Sequence, residues 1–253
     1  MKVARRVVTA LAVAAAVACA LIYLPLSAVK PALIVLAALV HLEYSQMVAK
    51  KYPVMVVPGV AAGVLYLVSA FYFYDNCFAP LMFALAAAAL FRKGDRPVAA
   101  WATTVLGFVY VPMMVNYFHL IAQRFGLVML LYVIAIVKIS DRGGFAFGMA
   151  FGRHKMCPSI SPKKSWEGMA GSVFASCLIS CLFMPVTHFT PVRALLFGVA
   201  AAICGTLGDL VESRIKRECE VKDSATFMPA GMGGFLDMFD SLLFAPALFY
   251  SFL

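Results

Sequence analysis

Residues 192–210 read VRALLFGVAAAICGTLGDL, an apolar run in which Arg193 is the only charge before Asp209. A helix needs about 20 apolar residues to cross a hydrocarbon core about 30 Å thick, so this run has the length of one membrane span. Similar runs recur along the chain between short polar breaks. The chain is 64% hydrophobic and 13% charged, whereas about a quarter of the residues of a soluble domain are charged. The sequence therefore predicts a membrane protein.

The apolar runs predict an all-α, polytopic integral membrane protein with about nine transmembrane helices. Helices are favoured because backbone polar groups in lipid must be hydrogen-bonded within the segment, and no alternating pattern indicates a barrel. The predicted spans are residues 7–24, 32–49, 54–74, 78–91, 98–119, 126–139, 168–185, 192–210 and 235–253. Arg5 and Arg6 ahead of the first run are also typical of a secretory signal. The run is longer than a signal core, so we predict a retained helix.

The basic residues are distributed unevenly between the two sides of the predicted bundle. With a cytoplasmic N-terminus, only Lys30, Arg124 and Arg193 of the 21 lysines and arginines fall in outer segments. Cytoplasmic loops of membrane proteins carry such an excess of basic residues. We therefore predict a cytoplasmic N-terminus, and we attribute the net charge of +9 to orientation rather than to nucleic-acid binding.

The two halves of the chain differ in polar content. Residues 1–125 are mostly plain membrane helix, and residues 126–253 form the predicted catalytic membrane region with polar loops on the cytoplasmic side. Glu43 is an exception in the first half, and it is either functional or paired with Lys50 and Lys51 at the interface. The seven cysteines show no CxxC spacing, so neither a zinc site nor a disulfide framework is indicated.

The first polar block comprises residues 138–168. It contains glycines at positions 143, 144, 148 and 152, which permit close approach either to a neighbouring helix or to a phosphate. Ser161 and Pro162 are typical of a helix start, which places Lys163 and Lys164 in or before the first turn. Cations there oppose the helix dipole unless an anion binds among them. The block therefore indicates an anion site, with a solvated, orientation-setting charge cluster as the alternative.

The second polar block runs from the end of the eighth predicted span into the start of the ninth. Asp209, Glu212 and Lys216 fall at i, i+3 and i+7, on one stripe of a helix. Asp237 and Asp240 share a face of the next helix. Converging carboxylates repel one another, but Mg²⁺ is a hard cation that accepts oxygen ligands and offsets that repulsion.

Basic residues and glycines surround these carboxylates. They include Lys163, Lys164, Lys216, Arg217, Lys222 and the glycines at 231, 233 and 234. Lysine and arginine make charge-assisted hydrogen bonds to phosphates, and glycines let backbone N–H groups approach an anion. Together these are the parts of a nucleotidyl-transfer site. The alternative is a juxtamembrane loop that binds anionic lipid head groups without chemistry.

At these residues the sequence resembles the phosphatidate cytidylyltransferase family. The family signature runs Ser-x-x-Lys-Arg, four residues, Lys-Asp, a glycine-rich turn and two aspartates three apart. The matching residues are Ser213, Lys216, Arg217, Lys222, Asp223, Asp237, Asp240 and Ser241. The stretches at 5–11, 161–168 and 208–210 resemble further family motifs. Met232 stands where the family usually has histidine and Met238 where it has arginine, and Asp141-Arg-Gly-Gly-Phe differs from the commoner Asp-Thr-Gly-Ala-Tyr. These departures suggest a divergent branch.

The resemblance implies transfer of a cytidylyl group from CTP to phosphatidate, which gives CDP-diacylglycerol and pyrophosphate. It further implies assistance by Mg²⁺ and a homodimer. Asp141 is a candidate either for ordering the site or for binding a second cation. The bias of basic residues predicts an active site on the cytoplasmic side, and we expect a bacterial inner membrane location. The rivals are a CTP-dependent kinase of polyprenol or phytol, and a membrane transporter of cations or lipids.

We assign hypothetical roles to the site residues. The catalytic set is Asp209, Asp237 and Lys222. The metal ligands are Asp209, Asp237, Asp240 and Asp141. The substrate-binding residues are Ser161, Lys163, Lys164, Ser213, Lys216, Arg217, Asp223, Gly233 and Gly234.

Overall fold

The computed structural model describes residues 18–19, 21–73, 77–92, 96–221, 224 and 234–253. These residues are mostly helical, with one two-stranded sheet among them. Five helical stretches are long and apolar enough to cross a membrane, namely Leu26–Val48, Val56–Phe73, Pro97–Phe125, Pro191–Glu218 and Phe235–Phe252. The prediction of an all-α membrane protein is confirmed. The number of nine spans stays a prediction, and most of the predicted span 7–24 lies outside the described residues.

The elements follow in chain order. The helices of the first half are α1 (Leu26–Val48), α2 (Val56–Val68), α3 (Phe78–Leu90), α4 (Pro97–Phe108) and α5 (Met114–Phe125). Those of the second half are α6 (Leu127–Phe151), α7 (Trp166–Leu182), α8 (Met184–Thr187), α9 (Pro191–Glu218), α10 (Phe235–Leu243) and α11 (Ala245–Phe252). Strands β1 (Lys155–Cys157) and β2 (Ser161–Ser165) form an antiparallel hairpin between α6 and α7.

Helix boundaries follow local chemistry. Pro97 and Pro191 lie in the first turns of α4 and α9, where their missing N–H groups cost nothing. The Thr190 hydroxyl accepts a hydrogen bond from the Arg193 N–H at 3.3 Å and caps α9. Gly126, with φ of 89°, separates α5 from α6, because this conformation strains residues that carry a Cβ.

A π-helical segment, Val109–Met113, joins α4 to α5 and contains Pro112. Proline in a helix interior removes one backbone hydrogen bond, and a wider turn accommodates the change without ending the helix. The stretch Pro97–Phe125 is therefore continuous.

Helix α6 is longer than the predicted span 126–139, and the glycines of the first polar block lie within or directly after it. A Cβ at Gly143 would lie 2.4 Å from the Ala175 Cβ, and one at Gly171 would lie 2.4 Å from the Phe147 Cβ. These distances are far below van der Waals contact, so the helices approach closely only because the side chains are absent. We call the contact formed by Gly143, Gly144, Gly168, Gly171 and Ser172 the α6–α7 seam.

The predicted helix start at Ser161 and Pro162 is wrong. These residues open β2, which pairs with β1 in the registers Lys155 to Ser165 and Cys157 to Ser161. The helix begins instead at Trp166, where the Ser165 hydroxyl accepts a hydrogen bond from the Gly168 N–H at 3.1 Å. Serine is a strong helix N-cap, and Ser165 meets that requirement as well as Ser161 does.

The two halves of the chain pack together around two hydrophobic clusters. One cluster joins α1–α5 to Cys219, Leu236 and Leu243 from the second half. The other is built largely from α5, α6, α9 and α11. Outside these clusters, the loop after α1 contacts the end of α9, since Lys51 Nζ lies 2.8 Å from the Glu218 carbonyl oxygen and 3.3 Å from Glu220 Oε1. The neighbouring Tyr52 hydroxyl bonds to Glu218, which raises the pKa of this tyrosine.

Candidate functional site

Helices α9 and α10 approach each other closely at Gly208. A Cβ at this position would lie 2.4 Å from the backbone oxygen of Asp240, so a residue larger than glycine requires the helices to separate. The approach brings Asp209 of α9 beside Asp240 of α10. Gly208 thus determines the distance between the two acidic helices.

Three carboxylates converge at this approach. Asp209, Glu212 and Asp240 each offer an oxygen, and these oxygens all lie within 4.8 Å of one another. Glu212 is fully buried, and Asp240 is 8% exposed. The Asp240 Oδ1 accepts a hydrogen bond from the Ser241 N–H at 2.5 Å. We call these three residues the carboxylate cluster.

Lys216 connects the carboxylate cluster to the start of α10. Its Nζ lies 2.5 Å from Glu212 Oε2 and 2.6 Å from Asp237 Oδ1. The other oxygen of Asp237 accepts a hydrogen bond from the Gly234 N–H at 2.7 Å. Asp237 therefore caps its own helix and holds Lys216, while Asp240, one turn later, joins the carboxylate cluster.

Lys164 of β2 approaches the carboxylate cluster from the other side. Its Nζ lies 2.7 Å from Asp209 Oδ2 and donates to the Thr206 carbonyl oxygen at 3.0 Å. The Ser213 hydroxyl donates to Asp209 Oδ1 at 3.3 Å. Alternate side chains of a strand point to opposite faces, so the neighbouring Lys163 points away and is exposed.

Helix α6 contributes Lys138 and Asp141. Lys138 Nζ donates to the Met238 carbonyl oxygen at 2.6 Å and to the Ser241 hydroxyl at 3.2 Å. Asp141 also bonds to Ser241, and its Oδ1 would lie 3.4 Å from a Cβ at Gly205. Both residues of α6 therefore face the α9–α10 approach.

The charges joined by these contacts do not balance. Five carboxylates, on Asp141, Asp209, Glu212, Asp237 and Asp240, face the ammonium groups of Lys138, Lys164 and Lys216. Buried carboxylates are costly unless they are paired or bound to a metal. With every group ionised, the formal excess of two negative charges equals the charge of one divalent cation.

The carboxylate cluster fits a hard divalent cation. It offers only oxygen donors, which Mg²⁺ prefers over nitrogen and sulfur. Glu212 is fully buried beside two other carboxylates, and Lys216 lies 2.5 Å from its Oε2. A cation bound at the cluster would offset the repulsion among these buried carboxylates.

The remaining predicted site residues have different positions. Ser161 is half-buried at the start of β2, and Arg217 is exposed at the end of α9, next to Lys216. Gly234 is buried and donates to Asp237. Lys222, Asp223 and Gly233 lie outside the described residues, as does Met232.

The sequence-based site omitted three residues that the structure brings to it. Glu212 was on the predicted carboxylate stripe, so its spacing from Asp209 already indicated a ligand. Lys138 lies one helical turn before Asp141, and this spacing was the available signal. Glu43 was indicated only as an ionisable residue in an apolar run, because its partner, the Leu236 N–H at 2.9 Å, lies 193 residues away in sequence. Of the two alternatives for Glu43, the structure shows a contact with the backbone of α10, while Lys51 pairs with Glu220.

The described residues thus form a helical membrane protein in which two acidic helices, α9 and α10, meet beside three lysines. The family model described as "Cytidylyltransferase family" matches residues 4–253, so the chain belongs to the cytidylyltransferase family.

Curated relatives carry a more particular name. The chain is 36% identical over 149 residues to the phosphatidate cytidylyltransferase of Bacillus subtilis. The aligned residues make up 57% of this chain and 55% of the relative. It is 40% identical over 130 residues to that of Haemophilus influenzae, covering 49% of this chain and 45% of the relative. It is 45% identical over 114 residues to that of Mycobacterium bovis, and the aligned residues make up 44% of this chain and 36% of the relative. The chain thus spans about half or less of the length of the curated relatives it matches.

Proposed function

We propose that this protein transfers a cytidylyl group from CTP to phosphatidate and releases CDP-diacylglycerol and pyrophosphate. The observation that carries the proposal is the convergence of Asp209, Glu212 and Asp240 within 4.8 Å, with Lys164 and Lys216 paired to it. The name of the relatives, phosphatidate cytidylyltransferase, supports the choice of reaction.

The proposed reaction needs little help with proton transfer. A phosphate oxygen of phosphatidate attacks the α-phosphorus of CTP, and the bond from that phosphorus to the bridging oxygen of the β-phosphate breaks. The second pKa of a phosphomonoester is about 6, so the attacking group is largely ionised near neutral pH. Catalysis then consists mainly of positioning the phosphates and neutralising their charge.

The proposed metal is Mg²⁺, held by the carboxylate cluster. When bound, it supplies positive charge against the phosphate oxygens of CTP and the departing pyrophosphate. Asp237 remains a proposed metal ligand and also holds Lys216, and Asp141 is the candidate ligand for a second cation.

The proposed phosphate contacts come from basic side chains around the carboxylate cluster. Lys164 and Lys216 are paired with carboxylates, and exchanging those partners for substrate phosphates keeps each charge satisfied. Lys163 and Arg217, both exposed, are proposed to bind the outer phosphates, together with Lys222. Ser161, Ser213, Asp223, Gly233 and Gly234 are proposed to complete the substrate contacts.

The proposal includes the location of the reaction. An excess of basic residues on one side of the predicted bundle supports a cytoplasmic N-terminus and a cytoplasmic active site, which suits the supply of CTP. The bacterial relatives support an inner membrane location. A homodimer is proposed from the family resemblance.

The test is lipid-product mass and pyrophosphate release from purified protein in detergent, supplied with CTP, phosphatidate and Mg²⁺. Asp209→Asn and Asp240→Asn should each abolish product formation, because each removes a charged ligand from the carboxylate cluster. The matched control is Glu220→Gln, since Glu220 is a carboxylate that is 81% exposed and pairs only with Lys51 among the described residues. Absence of CDP-diacylglycerol with folded wild-type protein would refute the proposal, and accumulation of CDP would indicate a lipid kinase instead.

A further inference from the structure

Glu43 lies deep in the first half of the chain, yet it bonds to the second half. It belongs to α1, is fully buried, and has apolar core residues such as Val40, Tyr44 and Met47 around it in sequence. Its Oε2 accepts a hydrogen bond from the backbone N–H of Leu236 at 2.9 Å. A carboxylate in such surroundings is costly unless its partner compensates it, so the contact with α10 needs an explanation.

The start of α10 explains why a carboxylate is stable there. The first N–H groups of a helix have no partner within the helix, and they carry a partial positive charge. Two carboxylates satisfy them in this structure. Asp237 accepts from the Gly234 N–H within the same segment, whereas Glu43 reaches Leu236 from a different helix.

Glu43 does not belong to the carboxylate cluster itself. Among the described residues, the acidic groups with ligand atoms within 4.8 Å of one another are Asp209, Glu212 and Asp240. The Glu43 oxygen bonded to Leu236 is directed at the backbone of α10. This contact therefore links Glu43 to the site through α10.

We infer that Glu43 is a positioning residue, which fixes the start of α10 against α1 and thereby sets where Asp237 and Asp240 are presented. Leu236 directly precedes Asp237, so the anchored N–H is one residue from the carboxylate that holds Lys216. Helix α10 has only nine residues, and short helices depend on tertiary contacts for stability. The inference rests on the proposed function for its catalytic consequence.

The test compares three variants in two measurements. Glu43→Ala removes the acceptor, Glu43→Gln keeps an oxygen that accepts the Leu236 N–H, and Ile121→Ala shortens a fully buried side chain in the other hydrophobic cluster. The first measurement is the Mg²⁺ dependence of CDP-diacylglycerol formation. The second is the rise in unfolding temperature that Mg²⁺ causes in the purified protein, which does not depend on turnover.

Glu43→Ala should raise the Mg²⁺ concentration for half-maximal activity by about 10-fold, the lower end of the effect of residues that orient metal ligands. It should also reduce the Mg²⁺-dependent rise in unfolding temperature. Glu43→Gln should stay close to the wild type in both the Mg²⁺ concentration for half-maximal activity and the Mg²⁺-dependent rise in unfolding temperature. Ile121→Ala should lower the unfolding temperature without Mg²⁺ and leave the Mg²⁺ dependence as in the wild type.

Two results would separate the inference from the proposed function. If the wild type makes CDP-diacylglycerol and Glu43→Ala behaves as Ile121→Ala does, Glu43 is only a stabilising residue and the inference is overturned. If the wild type makes no product, the proposed function fails, and the Mg²⁺ effect on unfolding temperature alone decides the role of Glu43. Equal Mg²⁺ effects in the wild type and Glu43→Ala would then overturn it.

Discussion

Replacing Gly208 with alanine should inactivate the site without unfolding the protein. The new Cβ would lie 2.4 Å from the Asp240 carbonyl oxygen, whereas ordinary contact begins at 3.4 Å, so α9 and α10 must separate by about 1 Å. A misplacement of about 1 Å can cost about 100-fold in rate. Overpacking costs about 1–3 kcal/mol, and the helix preference of alanine over glycine returns about 0.5–1 kcal/mol. Activity should therefore fall much more than stability.

The assay is the initial rate of CDP-diacylglycerol formation, with unfolding temperature measured on the same preparation. Gly148→Ala is the matched control, because its new Cβ would have its nearest neighbour at 3.5 Å and would fit without displacement. The control should keep wild-type activity. A Gly208→Ala protein with activity within about threefold of the wild type would refute the argument that this close approach sets the site geometry.

Three further outcomes follow from the ion pairs and the proposed metal. Lys216→Met leaves the buried Glu212 without its cation, so stability toward SDS unfolding should fall by about 3 kcal/mol; an unchanged unfolding curve would contradict the pairing. Lys164→Ala should reduce activity strongly and the exposed Lys163→Ala much less, and equal losses in a CTP titration would refute the distinction between the two faces of β2. Chelation with EDTA should abolish product formation and added Mg²⁺ should restore it, whereas activity that survives chelation would exclude a required divalent cation.

The membrane class and the acidic stripe were predictable because each depends on local spacing. Long apolar runs between polar breaks determine the spans, and the i, i+3 spacing of Asp209 and Glu212 places both on one helix face. The same i, i+3 spacing indicated that Asp237 and Asp240 share a face of the next helix. The two aspartates nevertheless have different contacts. Asp237 caps α10 and holds Lys216, whereas Asp240, one turn later, belongs to the carboxylate cluster. Contacts with α9 decide these roles, and the spacing of the aspartates does not reveal them.

The start of α7 and the partner of Glu43 were not predictable for a common physical reason. Ser161 and Ser165 are both competent helix caps, and the choice between them depends on pairing with β1, which spacing does not reveal. The contact of Glu43 with Leu236 joins residues 193 positions apart. A local pattern carries no information on such partners, so Glu43 looked equally suited to the nearby lysines.

The α6–α7 seam restricts how this protein can evolve. At Gly143 and Gly171 even one added methyl group meets an atom at 2.4 Å, so mutation there forces two helices apart. At exposed positions of α7, such as Leu178 and Leu182, which are 52% and 65% exposed, any apolar side chain suits a lipid neighbour. Accepted substitutions in α7 should therefore accumulate at its exposed positions and be rare at the seam, and a library of random variants selected for growth would show that difference directly.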